Sequence, residues 1–167
     1  MIVNRPESSG YEGKLHLKAK VRVAKLGDKY LEELKEVHNK KWKVTTVYEY
    51  KFPTLLTELG PKTYRADVFF DVSYMEDVIL RHHTMTVEVD GTIGHAGDWE
   101  GMKDKIRDQR LVEMICCPVI RLSTYEVMGT IRKKPSLRKD LSPMTDIEIL
   151  NALDLVKNMK LPIQSLP

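Results

Sequence analysis

The stretches TYRADVFFDV (63–72) and TMTVEVD (84–90) decide the fold that this sequence predicts. In both, apolar residues occupy every second position, which is the pattern of a β-strand that buries one face. The opposite faces carry Asp67 on the first strand and Glu88 and Asp90 on the second. We therefore expect two neighbouring strands of one sheet that expose carboxylates on the face turned away from the core.

The segments on either side of these strands predict an α/β fold of the α+β class, with a central mixed β-sheet flanked by helices. The pattern predicts a strand over 44–52, a loop over 53–62 and a solvated turn at His82-His83. It then predicts a helix that begins near Asp98 and a buried strand over 118–122. The residues of this helix that are expected to point inward are Trp99, Met102, Ile106 and Met114. A capping-box pattern at Thr145 and Glu148 predicts a final helix that ends near Lys160. One domain is expected over 1–167, with a lead-in over 1–13, an N-terminal unit over 14–62, a core over 63–126, and a basic linker and C-terminal helix over 127–167.

The N-terminal unit begins with an alternation of apolar and basic residues over 14–23, which predicts a strand followed by a helix. The basic positions are Lys14, His16, Lys18, Lys20 and Arg22. Such a row is typical either of a solvated strand face that protects a sheet edge or of a surface that contacts nucleic-acid phosphates. The helix is expected to begin at Gly27-Asp28, with Asp28 as its N-cap, and to continue through about Lys41.

The composition is that of an ordinary globular protein, with 42% hydrophobic and 31% charged residues. The formal net charge of +3 is too small to indicate a nucleic-acid partner by itself. The sequence has no apolar run of about 18 residues and no signal peptide, so we expect a cytoplasmic or other intracellular protein without membrane contact. The adjacent Cys116 and Cys117 cannot by themselves provide a four-ligand zinc site and are predicted to be two small buried side chains, with a redox pair as the alternative.

The carboxylates of the two strands have the chemistry of a magnesium site. Asp67 and Glu88 come from neighbouring strands, and Asp90 emerges on the same face as Glu88 because it follows two residues later. Carboxylates packed closely repel one another unless a cation neutralises them. The sequence therefore predicts that these three residues hold Mg²⁺, for which Mn²⁺ can substitute. The alternative that the residues leave open is a harmless acidic strand surface.

An ordered set of short motifs spans 64–126. Its members are Asp67, Glu88-Val89-Asp90-Gly91, His95, Arg107-Asp108 and Val119-Ile120-Arg121. This set resembles the PD-(D/E)XK nuclease superfamily, and within it the branch of the very-short-patch repair endonucleases and related homing endonucleases. Those proteins have an Asp at a strand end, a strand ending in an acidic or polar pair and Gly, a His, a helix carrying Arg-Asp, and a strand of the form V-(I/L)-R. The resemblance covers a little over a third of the chain.

The resemblance implies a restriction-endonuclease-like core and a Mg²⁺-dependent endonuclease that acts on DNA. It assigns site roles to acidic residues and one histidine. Asp67 is the principal metal ligand, Asp90 lies at or beside the metal, and His95 is a general base or phosphate contact. Asp108 orients this histidine or a bound water, and Glu33 or Glu36 of the N-terminal helix completes the site.

The chain departs from the superfamily pattern in two respects. Lysine usually stands two residues after the second acid, but Asp90 stands there in this chain. Charge stabilisation would then come from the metal, Arg65, His95 or Arg107. The zinc-binding cysteines and histidines of the mismatch-repair enzyme are absent, so its mismatch specificity does not transfer to this chain.

Nucleic acid, and specifically DNA, is the expected partner. The basic residues predicted to contact it are Lys18, Lys20, Arg22, Arg65, Arg107 and Lys133. Two alternatives stay open. One is a catalytically inactive nucleic-acid-binding protein that keeps the nuclease-like fold. The other is an interaction module whose final helix pairs with a partner or, in a homodimer, with a second copy of itself.

Overall fold

The structure, a computed structural model, describes residues 1–6, 13–90, 98–129 and 142–163. Its elements in chain order are α1 (Lys14–Val37), β1 (Lys43–Lys51), β2 (Leu55–Thr57), β3 (Gly60–Lys62), β4 (Arg65–Glu76), β5 (Ile79–Asp90), α2 (Asp98–Ile115), β6 (Val119–Ser123), α3 (Thr124–Met128), α4 (Asp146–Leu153) and α5 (Leu155–Asn158). This order confirms the predicted α+β class. No helix among the described residues is both long enough and apolar enough to cross a membrane.

A four-stranded mixed sheet in the order β1-β4-β5-β6 forms the centre of the fold. Strands β1, β4 and β5 are antiparallel, and β6 returns parallel to β5 after α2, which confirms the predicted mixed sheet. The 53–62 segment, predicted to be a loop, contains the small hairpin of β2 and β3. The predicted turn at His82-His83 is wrong, because both histidines lie within β5 and the chain reverses at Asp77, whose φ is 55°.

The predicted N-terminal strand is also wrong, because α1 runs without interruption through Gly27 and Asp28. Alternation over 14–23 includes residues spaced four apart, and these lie on one face of a helix. Ala19 and Val23 belong to that face and are fully buried. Helix α1 therefore covers one side of the sheet, a packing that local alternation cannot reveal.

Gly27 lies at the closest contact between α1 and the sheet. A Cβ atom at this position would be 2.4 Å from Cζ of Phe70 on β4. Asp28, the predicted N-cap, instead accepts hydrogen bonds from the Thr46 hydroxyl at 2.8 Å and from the Met1 ammonium at 2.7 Å. Both residues thus fix α1 against the strands rather than start a helix.

Both faces of the sheet are covered. Helix α1 packs against apolar side chains of the central strands, namely Val68, Phe70, Val72, Met85 and Val87. On the opposite face, Leu111 of α2 packs with Phe69 and Cys117. The prediction that Met102, Ile106 and Met114 of α2 point inward is wrong, since all three are about half exposed. The side chain of Trp99, also predicted to point inward, lies outside the described residues. Cys117 is buried as predicted, whereas Cys116 is exposed.

The C-terminal segment begins with the predicted cap, in which the Thr145 hydroxyl accepts a hydrogen bond from the Glu148 N–H at 3.2 Å. The predicted single helix to Lys160 is wrong, because Asp154 adopts the left-handed conformation (φ 41°, ψ 54°) and separates α4 from α5. Aspartate tolerates this conformation better than most residues. Ile149 and Leu153 are buried in the chain's own core, so the apolar stripe of this helix is already covered.

Candidate functional site

Asp67 lies near the start of β4, next to the end of β5. Its Oδ2 accepts a hydrogen bond from the Val89 N–H at 2.8 Å, and its Oδ1 lies 3.4 Å from Nζ of Lys20. The ring of His16 approaches the same carboxylate, with Nε2 3.9 Å from Oδ2. The strand register, in which Val68 pairs with Val87, places Asp67 beside Glu88. Contacts from β5 and α1 therefore hold the Asp67 carboxylate in one orientation.

Glu88 is buried, contrary to the prediction of an exposed acidic face. Its Oε1 is buried and has no hydrogen-bond partner among the described residues. The guanidinium of Arg107 lies 3.9 Å from this oxygen, which is too far for a hydrogen bond. Burial, and next the negative charge of Asp67, raise the pKa of Glu88 to about 8, against opposing contributions from Arg107 and Arg121. A cation entering this site would relieve both effects.

Lys20 is only 1% exposed and contacts carboxylates of two strands, those of Glu49 on β1 and Asp67 on β4. Glu49 also accepts from Nε of Arg65 at 2.7 Å. The prediction that Lys20 belongs to an exposed phosphate-binding row is therefore wrong. Sequence reasoning missed the pairing of Lys20 with Glu49. The signal was the four-residue spacing of His16 and Lys20, which places both on one face of a helix.

Arg121 at β6 joins two of the predicted acidic residues. Its guanidinium donates to both carboxylate oxygens of Asp108, at 2.8 and 3.0 Å, and to Oδ1 of Asp90 at 3.1 Å. The parallel register also places Arg121 beside Glu88. The Val119-Ile120-Arg121 motif by itself predicts no role for Arg121. In the structure it links α2, β5 and β6, and Asp108 binds Arg121. The predicted role of Asp108 in orienting His95 remains a prediction because His95 lies outside the described residues.

The remaining predicted residues are distributed as follows. The prediction that Glu36 completes the site is wrong. Glu36 is exposed, and at 1.5 Å per residue it lies about 24 Å along α1 from Lys20. The other proposed acid, Glu33, is also exposed on the distal half of α1. Arg22 donates to the carbonyl oxygens of Val127 and Met144 and to Asp146, so it fastens α1 to the C-terminal segment. Lys18 is exposed on α1, and Lys133 lies outside the described residues.

No group of three or more His, Cys, Asp or Glu side chains in the described ranges is arranged to hold a metal ion. The three predicted ligands Asp67, Glu88 and Asp90 therefore do not form such a group. Asp90 is bound by Arg121, whereas Glu88 has a buried oxygen without a hydrogen-bond partner in the described chain. Mg²⁺ is commonly held by one or two carboxylates together with water molecules. If an ion of this kind binds, Asp67 and Glu88 are the two carboxylates that would hold it.

Comparison of the chain with protein-family models, with curated proteins and with solved structures finds no match in any of the three. The resemblance to PD-(D/E)XK nucleases therefore remains a prediction from motif order. The structure places these motifs near the start of β4, at the end of β5, on α2 and at the start of β6. Asp67, Glu88, Arg107 and Arg121 come together there through strand register and charge interactions.

Proposed function

We propose that this chain is a metal-dependent endonuclease that hydrolyses phosphodiester bonds in DNA. The observation that carries the proposal is the buried Oε1 of Glu88, which has no hydrogen-bond partner in the described structure and lies in the field of the Asp67 carboxylate. A protein interior rarely leaves a buried carboxylate oxygen in this state, and such groups mark functional sites. In this proposal Asp67 and Glu88 hold Mg²⁺ or Mn²⁺.

The chain's own residues prepare the site for an anionic substrate. The Val89 N–H and Lys20 orient Asp67, so little rearrangement is needed when a cation binds. Lys20 supplies a positive charge beside Asp67, although the superfamily's lysine position is occupied by Asp90. Arg107 extends toward Glu88 from α2 and can contact a phosphate oxygen. A bound divalent ion would supply Lewis acidity and lower the pKa of a water molecule.

The arrangement of elements supports the same proposal. The described motifs that resemble PD-(D/E)XK nucleases lie, in chain order, on β4, on β5, on the connecting helix α2 and on β6, which pairs parallel with β5. Their acidic and basic side chains interact near Asp67 and Glu88 rather than being scattered over the surface. His95 keeps its proposed role as a general base or phosphate contact, on the strength of the motif order alone.

A second candidate is a nucleic-acid-binding protein with a nuclease-like fold and no catalytic activity. The observation that favours it is that Arg121 binds Asp90 and Asp108, while Lys20 binds Asp67. Three of the predicted acids are thus already neutralised within the chain. A site of this kind could bind phosphates through its cations without holding a metal ion.

The deciding experiment is an assay of supercoiled plasmid nicking and cutting with Mg²⁺ or Mn²⁺, and with chelator as the blank. Asp67→Asn and Glu88→Gln are expected to abolish cleavage while leaving the circular-dichroism spectrum and thermal transition of a folded protein. Glu76→Gln is the matched control, because Glu76 lies on β4 but is half exposed and pairs with Arg81 rather than with a residue of the site. Unchanged cleavage by both site variants would refute the metal site. Salt-sensitive DNA binding in chelator, without cleavage by the unsubstituted chain, would establish the second candidate.

A further inference from the structure

A separate groove of about 960 Å³ lies toward the other end of β4 and β5. Asp71 lines it and lies on the same strand face as Asp67, about 13 Å further along β4 at 3.3 Å per residue. The end of α2 and the segment around α5 form its other walls. Its volume is within the range of about 300–1,000 Å³ that is usual for small-molecule sites.

One wall of the groove is aromatic. The rings of Tyr50 and Phe69 stack with centroids 4.0 Å apart and an interplanar angle of 10°. Phe52 meets Tyr50 edge-to-face at 5.1 Å, which holds the pair in place. All three residues line the groove. Phe52 and Phe69 are only 4% and 8% exposed and belong to the core, so Tyr50 is the ring that this wall presents to the groove. A part-exposed aromatic ring of this kind binds flat rings, and nucleobases in particular, by stacking and edge contacts.

The rim of the groove is basic. Lys157 and Lys160 are exposed there, and neither forms an ion pair with any described residue. Asp71, the one carboxylate among the described lining residues, binds Nδ1 of His82 at 3.0 and 3.1 Å. This contact fixes the half-exposed imidazole and leaves its Nε2 for a ligand. The groove thus combines an apolar ring surface with two lysine ammonium groups that no described acid neutralises. Its one described carboxylate, that of Asp71, is bound to His82 instead.

We propose that this groove binds a nucleotide whose base is unpaired. The base contacts the ring of Tyr50, which Phe52 and Phe69 hold in place from the core, and the phosphate contacts Lys157 and Lys160. A free mononucleotide and a nucleotide within a single strand share this chemistry. An aromatic surface beside a basic rim is the combination by which proteins bind single-stranded nucleic acids without base pairing. The inference does not require the nuclease activity, because none of its residues belongs to the Asp67–Glu88 site.

Isothermal titration calorimetry of the full chain in chelator tests the inference, using thymidine 5′-monophosphate, thymidine, inorganic phosphate and hexathymidylate. The monophosphate is expected to bind at least about tenfold more tightly than thymidine or phosphate alone, because only it engages both wall and rim. Tighter binding of hexathymidylate than of the monophosphate would identify a single strand as the ligand, and the reverse a free nucleotide. The proposal would be overturned if neither the monophosphate nor hexathymidylate binds, or if inorganic phosphate binds as tightly as the monophosphate.

Variants locate the binding. Lys157→Ala combined with Lys160→Ala is expected to weaken the nucleotide about tenfold, since two charge-assisted contacts are lost. Lys25→Ala combined with Lys29→Ala removes the same charge from exposed positions on α1, across the sheet, and should change affinity by less than about twofold. Tyr50→Leu should weaken nucleotide but not phosphate binding. Asp67→Asn should leave binding intact, which separates this result from the nuclease test. If the two double-lysine variants lose the same amount of nucleotide affinity, the binding reflects general charge attraction and not a site in the groove.

Discussion

The buried ammonium group of Lys20 lies 3.4 Å from Oδ1 of Asp67 and also contacts Glu49. This arrangement ties helix α1 to strands β1 and β4 at the centre of the proposed site. A buried charge is tolerated only where close partners replace its lost hydration. The same contact therefore stabilises the fold and sets the charge around Asp67.

Removing this ammonium group should destabilise the protein strongly. Lys20→Ala leaves the Glu49 and Asp67 carboxylates without their buried partner, and breaking such a pair costs about 3–5 kcal/mol of unfolding free energy. Urea unfolding at neutral pH measures the change. Lys18→Ala, at an exposed position of the same helix, should stay within about 0.5 kcal/mol. A loss no greater than that of the control would show that the buried pair contributes nothing net.

Glu88 should make stability fall as the pH rises. Its pKa is raised from 4.5 to about 8 in the folded chain, so between these values the folded state holds a proton that the unfolded state has released. Its contribution is complete below pH 4.5 and is lost as the pH passes 8. At 1.36 kcal/mol per pKa unit the loss can reach about 5 kcal/mol. Urea titrations across this range should show a steeper decline for the natural chain than for Glu88→Gln. Parallel curves would contradict the raised pKa.

Divalent metal should stabilise the natural chain more at pH 8 than at pH 6. Metal binding requires deprotonated carboxylates, and Glu88 gives up its proton more readily at the higher pH. Millimolar Mg²⁺ well above its dissociation constant should raise Tm at pH 8 by at least about 2 °C. Potassium chloride of equal ionic strength is the control. The increase should vanish in Asp67→Asn and Glu88→Gln, and its persistence in both would place the metal elsewhere.

Gly27→Ala should destabilise the contact between α1 and the sheet. The added Cβ would lie 2.4 Å from Cζ of Phe70, and overpacking of this kind costs about 1–3 kcal/mol. Alanine's better helix propensity offsets at most about 1 kcal/mol. Lys25→Ala, an exposed substitution to the same residue on α1, provides the comparison. In a double-mutant cycle with Phe70→Leu, the two losses should be less than additive because the smaller side chain makes room.

Sequence patterns predicted the strands well because each strand's alternation is local. The segments around Asp67 and Glu88 became neighbouring strands, and Thr145 became a helix cap. The pattern over 14–23 failed because alternation contains both strand and helix spacings, and only the apolar sheet face beneath it selects the helix. The break at Asp154 depends on one backbone conformation that capping and periodicity do not encode.

The sequence by itself determined the α+β class and the segments that form β1, β4, β5 and β6. It also determined which carboxylates share the strand face, since these follow from periodicity along short segments. Only the tertiary structure decided that Glu88 is buried, that Lys20 and Arg121 neutralise its acidic neighbours, and that Glu36 lies far away. Burial and charge pairing arise between residues distant in the chain. They depend on which helix covers which face, and a local pattern of apolar residues does not carry that information.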